Sequence, residues 1–274
     1  MSTSNKPPVY PDLDGKTAIV TGSSRNMGRA IAVALGECGA NVGVTARRDS
    51  EGCEETAAAV EAAGGGATIE LGDLSKPEEI RDVFEHVRDE FGPIDVLVNN
   101  AAIRNSKPFE AITLEEYQHV QDVNLRSVFV ASQEAAADMR EGNGGSIVNI
   151  LGLMALQGRR GKAHVSVTKT GIIGLTKTLA SELGPDGIRV NSVVPGRKIA
   201  DTQHEAEKTD AELADFRKIE QATPLRRRGQ SEEIANVVRF IASDQASFVT
   251  AEVWKVDGGL NTCIDLENIA IGGV

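Results

Sequence analysis

The chain has 274 residues, of which 41% are hydrophobic and 25% charged, a composition that suits one large soluble α/β unit. A formal charge of −11 opposes nonspecific nucleic-acid binding, and no uninterrupted apolar run is long enough to span a bilayer. Cys38, Cys53 and Cys263 are odd in number and without paired spacing, the four histidines are scattered, and no export signal opens the chain; reduced thiols, no metal site and a cytoplasmic location are expected.

In chain order, residues 1–14, with Pro7, Pro8 and Pro11, read as a flexible leader. "KTAIVTG" (16–22) is the first predicted strand. The helix after it carries Met27, Ala30, Ile31, Ala34 and Leu35 on one face. "NVGVTA" (41–46) is a second strand, a helix runs through "EETAAAVEAAG", and "ATIEL" (67–71) is a third strand. A helix around 77–91 leads to "IDVLVNN" (94–100), and a long helical stretch from Thr113 to about Met139 leads to "GSIVNIL" (145–151). A helix over 163–183, the strand "IRVNSVVPG" (188–196), a helix from Ser231 to Ser243 and the strand "EVWKVDGG" (252–259) complete the body. Strands alternating with helices of this length specify a parallel sheet covered on both faces. The expected fold is a single-domain, Rossmann-type doubly wound α/β sheet of about seven parallel strands over 15–260, with a tail over 261–274.

"TGSSRNMG" (21–28) joins the first strand to the first helix. A glycine turn there lets backbone approach a pyrophosphate, and the helix N-terminus adds N–H donors and a favourable dipole. Taken alone, the loop reads equally well as a plain tight turn. "LGDL" (71–74), with Asp73, "NNAA" (99–102) and "PG" (195–196) end three further strands, on the carboxyl edge where ligands bind in open α/β sheets.

With "NSVVPG" (191–196) and "VDGG" (256–259), this ordered set resembles the short-chain dehydrogenase/reductase family over nearly the whole chain. The resemblance implies a nicotinamide dinucleotide held by the turn Gly22, Ser24, Arg25, Asn26, Met27 and Gly28, with Asn26 where the family has its middle glycine. Asn tolerates positive φ, so the turn keeps its shape. Asp73, Leu74, Asn100, Ala101 and Ala102 would line the adenosine and ribose path, Pro195 and Gly196 would close the far end, and Lys169 would hold the nicotinamide ribose. A homotetramer is implied as well, with helices 113–139 and 163–183 across one two-fold axis and 231–259 across another.

Charge argues for the cofactor type. An acidic residue ending the second strand favours NAD, whereas basic residues pair with the additional phosphate of NADP. Here that strand runs into Arg47 and Arg48, and Arg25 stands in the glycine turn. Guanidinium groups suit bidentate phosphate contacts, so NADP(H) is expected rather than solvated surface arginines.

The family's catalytic set is an Asn, a Ser, a Tyr and a Lys. Asn124 and Lys169 match two of these. Val165 stands at the tyrosine position, four residues before Lys169, and Gly152 falls at the serine position. General acid–base assistance is worth ~10²–10⁴ in rate and one oxyanion donor ~10²–10³, so an ordinary ketone reductase lacking both would be badly impaired. His164, adjacent to the vacant position, is the candidate replacement. Neighbours on a helix point about 100° apart, however, which favours a structural role for it.

The basic run "GRRGK" (158–162), with Arg104, Arg197 and Lys198, borders the expected substrate mouth and points to an anionic small molecule, a solvated loop being the equal alternative. Residues 197–222 depart from the family pattern and read as a lid. Two functions stay open. One is an atypical NADP(H)-dependent oxidoreductase acting on an activated or anionic acceptor without a tyrosine acid. The other is a non-redox enzyme (lyase, isomerase, hydrolase or cyclase) or a noncatalytic partner subunit on the same frame.

Overall fold

A computed structural model describes residues 10–142, 144–197, 199 and 209–263, the side chains of 210–212 excepted. Most of the expected leader, the 264–274 part of the tail, and residues 198 and 200–208 of the expected lid lie outside the described residues.

Seven parallel strands form one sheet: β1 (Thr17–Val20), β2 (Asn41–Val44), β3 (Gly66–Ile69), β4 (Val96–Asn99), β5 (Gly145–Ile150), β6 (Ile188–Pro195) and β7 (Val253–Val256). Their order is β3-β2-β1-β4-β5-β6-β7. The helices between them are α1 (Asn26–Gly36), α2 (Ser50–Ala63), α3 (Pro77–Phe91), α4 (Leu114–Gln121), α5 (Ser127–Glu141), α6 (Ala163–Leu183), α7 (Asp210–Ala222) and α8 (Ser231–Ala242). This is the expected doubly wound architecture.

Strand alternation assigns the two faces. Val20, Val42, Val98 and Val148 pack under Ile31 and Leu35 of α1 and Ile234, Val238 and Ile241 of α8. Ile19, Leu97, Ile147 and Val190 point the other way, onto Phe84 of α3, Met139 of α5 and Leu183 of α6. Because both faces are buried, the strands are apolar throughout and show no polar alternation. Ile19 is wholly buried, and truncating such a side chain to alanine costs about 2–5 kcal/mol.

From β1 the chain turns to β2 on one side, and later returns through β4 on the other. That reversal opens a crevice beyond the carboxyl ends of the central strands.

Four local differences from the sequence reading matter. Strands stop earlier than their apolar runs, so Asp73 lies four residues past the end of β3 rather than closing it. The helical stretch from Thr113 is interrupted by a π turn over Asp122–Arg126. Residues 10–14 are packed: Leu13 is buried, Tyr10 lies under the Arg239 guanidinium, and Asp244 N–H donates to Asp12 Oδ2 at 2.8 Å. Within the expected lid, residues 210–222 form the helix α7.

Candidate functional site

The turn from β1 to α1 is built from close backbone contacts. Gly22 has φ +64, and a Cβ on it would lie 3.0 Å from Ala101; a Cβ on Gly28 would lie 2.2 Å from the Gly22 carbonyl oxygen. Asn26 takes φ +50 at the position of the expected glycine substitute. Asn100 Nδ2 donates to both Thr21 O and Gly22 O at 2.9 Å, and Asn100 and Ala101 N–H both donate to Thr21 Oγ1. From behind, Arg29 Nη2 donates to Ser24 O at 2.6 Å. No side chain caps the N-terminus of α1, so its first N–H groups are open to an anion.

A cleft of about 680 Å³ lies over this turn. Gly22, Ser24, Arg25, Asn26, Met27, Gly28, Arg47, Arg48, Asp73, Leu74, Asn100, Ala101, Ala102 and Lys169 all line it, from five separate segments of the chain. Asp73 Oδ1 accepts from Ser75 N–H at 3.0 Å and its hydroxyl at 2.8 Å. Burial raises the Asp73 pKa, but those bonds and then Arg47 outweigh it and hold the carboxyl below its usual value. Among the described residues Arg25, Arg47 and Arg48 form no ion pair, and Asp49 shares their wall. The Ser24 hydroxyl leads in lowering the Asp49 pKa, with Arg25 a smaller contributor.

Lys169 is 2% exposed at the cleft floor, and its Nζ donates to Ile150 O at 2.8 Å. Burial, then the charge of Arg104, push its pKa down to about 7. Arg104 is on the cleft wall with its side chain reaching solvent. Desolvation by the surrounding protein and then Arg25 lower its own pKa.

Four expected site residues do not line the cleft. Asn124 is fully buried, and its amide is spent on Ile103 and on Thr168 Oγ1. His164 is 2% exposed on α6; its Nε2 lies 3.3 Å from Asn105 Oδ1, and its Nδ1 has no hydrogen-bond partner. Burial and then Lys162 lower its pKa, favouring neutral imidazole. Pro195 ends β6 against Val256, and Gly196 N–H donates to Val256 O at 2.9 Å. Val165 is wholly buried, and Gly152 sits in extended backbone where a Cβ would meet Met154 Sδ at 2.7 Å. Neither Tyr10 nor Tyr117 reaches the cleft.

Sequence reading passed over Thr45, Asp49, Asn105, His119 and Val123, all of which line the cleft. Asp49 follows Arg48 directly and was open to inspection. His119 and Val123 are one helical turn apart, a spacing that places them on one face. No group of His, Cys, Asp and Glu among the described residues could hold a metal ion.

A family model described as enoyl-(acyl carrier protein) reductase matches residues 22–261. The chain belongs to the short-chain dehydrogenase/reductase family. It is 38% identical over 247 residues to a 3-oxoacyl-(acyl-carrier-protein) reductase of Staphylococcus aureus, covering 89% of this chain and 98% of that one. A protein of the same description from a Synechocystis species is 36% identical over 249 residues, covering 90% and 98%. Among solved structures, a short-chain dehydrogenase/reductase variant of Serratia marcescens superposes with a TM-score of 0.83 at 35% identity, covering 91% of this chain and 99% of that one. An oxidoreductase frame that takes a nicotinamide cofactor is therefore in place. No helix among the described residues is long and apolar enough to cross a membrane.

Proposed function

We propose that the protein is an NADP(H)-dependent oxidoreductase that moves a hydride to or from an activated or anionic small molecule without a tyrosine acid. The observation that carries this reading is the one cleft that joins the uncapped α1 turn, Arg25, Arg47 and Arg48, which have no ion-pair partner among the described residues, and Lys169. The cleft fits a dinucleotide on its own geometry: glycine backbone with no room for Cβ at one end, cationic side chains beside it, and a buried amine at the other. When bound there, the nicotinamide supplies or accepts the hydride.

The chain's own residues do the rest. Open N–H groups of the 22–28 turn would hold the pyrophosphate, and Arg25 and Arg47 would neutralise the 2′-phosphate. With Val165 and Gly152 at the family's tyrosine and serine positions, no phenol or serine hydroxyl serves the reacting oxygen. Lys169 Nζ is suited to the proton step, since a buried amine with a pKa about 7 exchanges protons readily at neutral pH. The relatives' names put 3-oxo compounds first among acceptors to test.

Nucleotide titration by calorimetry tests the cofactor. NADPH is expected to bind more tightly than NADH, and Arg47→Ala to lose roughly 10–100-fold of the preference, the worth of one charge-assisted contact. Equal affinity for the two nucleotides in the parent protein would refute the NADP(H) reading.

A further inference from the structure

Ile103, Arg104 and Asn105 line one wall of the cleft, and the 103–107 segment that carries them is fastened from several directions. Asn124 holds Ile103 through both backbone groups, at 2.7 Å and 2.9 Å. The Lys162 ammonium donates to the Arg104 carbonyl. His164 holds the Asn105 side chain, and Lys107 N–H donates to Gly161 O at 3.0 Å. Lys107 Nζ is itself paired with Glu116.

Arg104 is the member of this segment whose charge remains unanswered. Among the described residues its guanidinium makes no ion pair or hydrogen bond, and the charges it interacts with are cationic: Arg25 lowers its pKa, it lowers that of Lys169, and all three line the cleft. In a chain of formal charge −11, carboxylates to pair with it are abundant, yet none among the described residues is placed there. A fixed backbone and an open guanidinium on the cleft wall form a receptor for a carboxylate, which guanidinium groups bind in bidentate fashion.

We propose that Arg104 is the substrate-recognition residue, gripping the free carboxylate of an oxo acid so that its carbonyl faces Lys169. Asn124, Lys162 and His164 are positioning residues, acting through the backbone and side chain of the 103–105 segment. The assignment rests on the oxidoreductase reading above and narrows its substrate to a class: small oxo acids with their own negative charge, rather than neutral ketones or esters.

The test reads binding and needs no turnover. The protein is first titrated with NADP⁺, and the binary complex then with acetoacetate, 2-oxobutyrate and levulinate, and with methyl acetoacetate as the neutral counterpart. At least one oxo acid is expected to bind, with acetoacetate at least tenfold tighter than its ester. Arg104→Met should weaken oxo-acid binding by about 10–100-fold, the worth of a charged hydrogen-bonded pair, and leave NADP⁺ affinity within twofold. Arg104→Lys should recover part of it. Lys162→Met, which frees the Arg104 carbonyl, should weaken the oxo acid several-fold without moving NADP⁺. Binding of NADP⁺ but of no oxo acid, ester binding equal to acid binding, or undiminished binding to Arg104→Met would each overturn the assignment. Failure to bind NADP⁺ would overturn the cofactor reading, and this one with it.

Discussion

Asn124 and Ile103 form a closed two-point contact: Oδ1 accepts from Ile103 N–H at 2.7 Å and Nδ2 donates to Ile103 O at 2.9 Å. The asparagine reaches its partner from the π turn between α4 and α5, and the pair sets where the cleft wall begins. Its amide is thereby engaged with protein groups, and its first task in this chain is to hold the 103–107 segment.

Asn124→Ala should therefore act on structure before chemistry. It strands a part-buried N–H and a part-buried carbonyl, each costing at most about 1–3 kcal/mol. A lower midpoint in urea unfolding and faster amide exchange at Ile103, Arg104 and Asn105 are expected. Unchanged protection of those amides would refute the clamp.

Lys169 makes stability depend on alkaline pH. Its folded pKa is about 7, against an ordinary 10.5. Between those values the unfolded chain binds a proton that the folded chain does not, so stability rises with pH across that window, by up to ~1.4 kcal/mol per unit. Lys169→Met removes the titrating group. Urea melts between pH 7 and 10 should show the rise in the parent protein and a flatter profile in the variant. Equal slopes would show that Lys169 is charged when folded.

Val165→Tyr with Gly152→Ser should not create an efficient ketone reductase. Val165 is wholly enclosed and does not line the cleft, so a phenol there must displace its neighbours before it can reach a substrate. A serine at 152 needs only Met154 to move. NADPH oxidation with an activated ketone, followed at 340 nm, should stay within about tenfold of the parent rate. A gain of ~10²–10⁴, the worth of a restored acid, would show that this pocket is a conventional one lacking two side chains.

Assembly into a homotetramer is expected from the exposed apolar residues on the elements that the family pairs. Phe129 of α5 is 47% exposed, Val167 of α6 50%, and Phe248, before β7, is fully exposed. Light scattering at micromolar concentration should report four copies of the 29.0 kDa chain. Phe248→Ser should shift the mass towards dimer, and a monomeric parent protein would refute the assembly.

The fold was legible in the amino acids because it rests on local periodicity. Apolar runs such as "DVLVN" and amphipathic helices such as 77–91 carry their own patterns, and alternation of the two leaves a parallel sheet as the stable solution. The glycine turn was legible for a similar reason: Gly22 and Gly28 stand where backbone touches backbone and no Cβ fits. Helix 163–183 was readable end to end, and the family resemblance assigned Lys169 to the cofactor, but periodicity alone could not say which of its residues face the cleft. Lys169 reaches the floor while His164 turns to Asn105 and Val165 is sealed in the core. That choice depends on the rotation of α6 against the 103–107 segment, a contact between residues some sixty positions apart. The isolation of Arg104 was also beyond linear reading, because a charge is unpaired only relative to everything that folds around it. The sequence by itself determined the frame and the glycine turn, through short-range pattern and steric exclusion. Tertiary packing alone decided which cations meet at the cleft floor, since their mutual repulsion exists only once β4, α6 and the α1 turn are brought together.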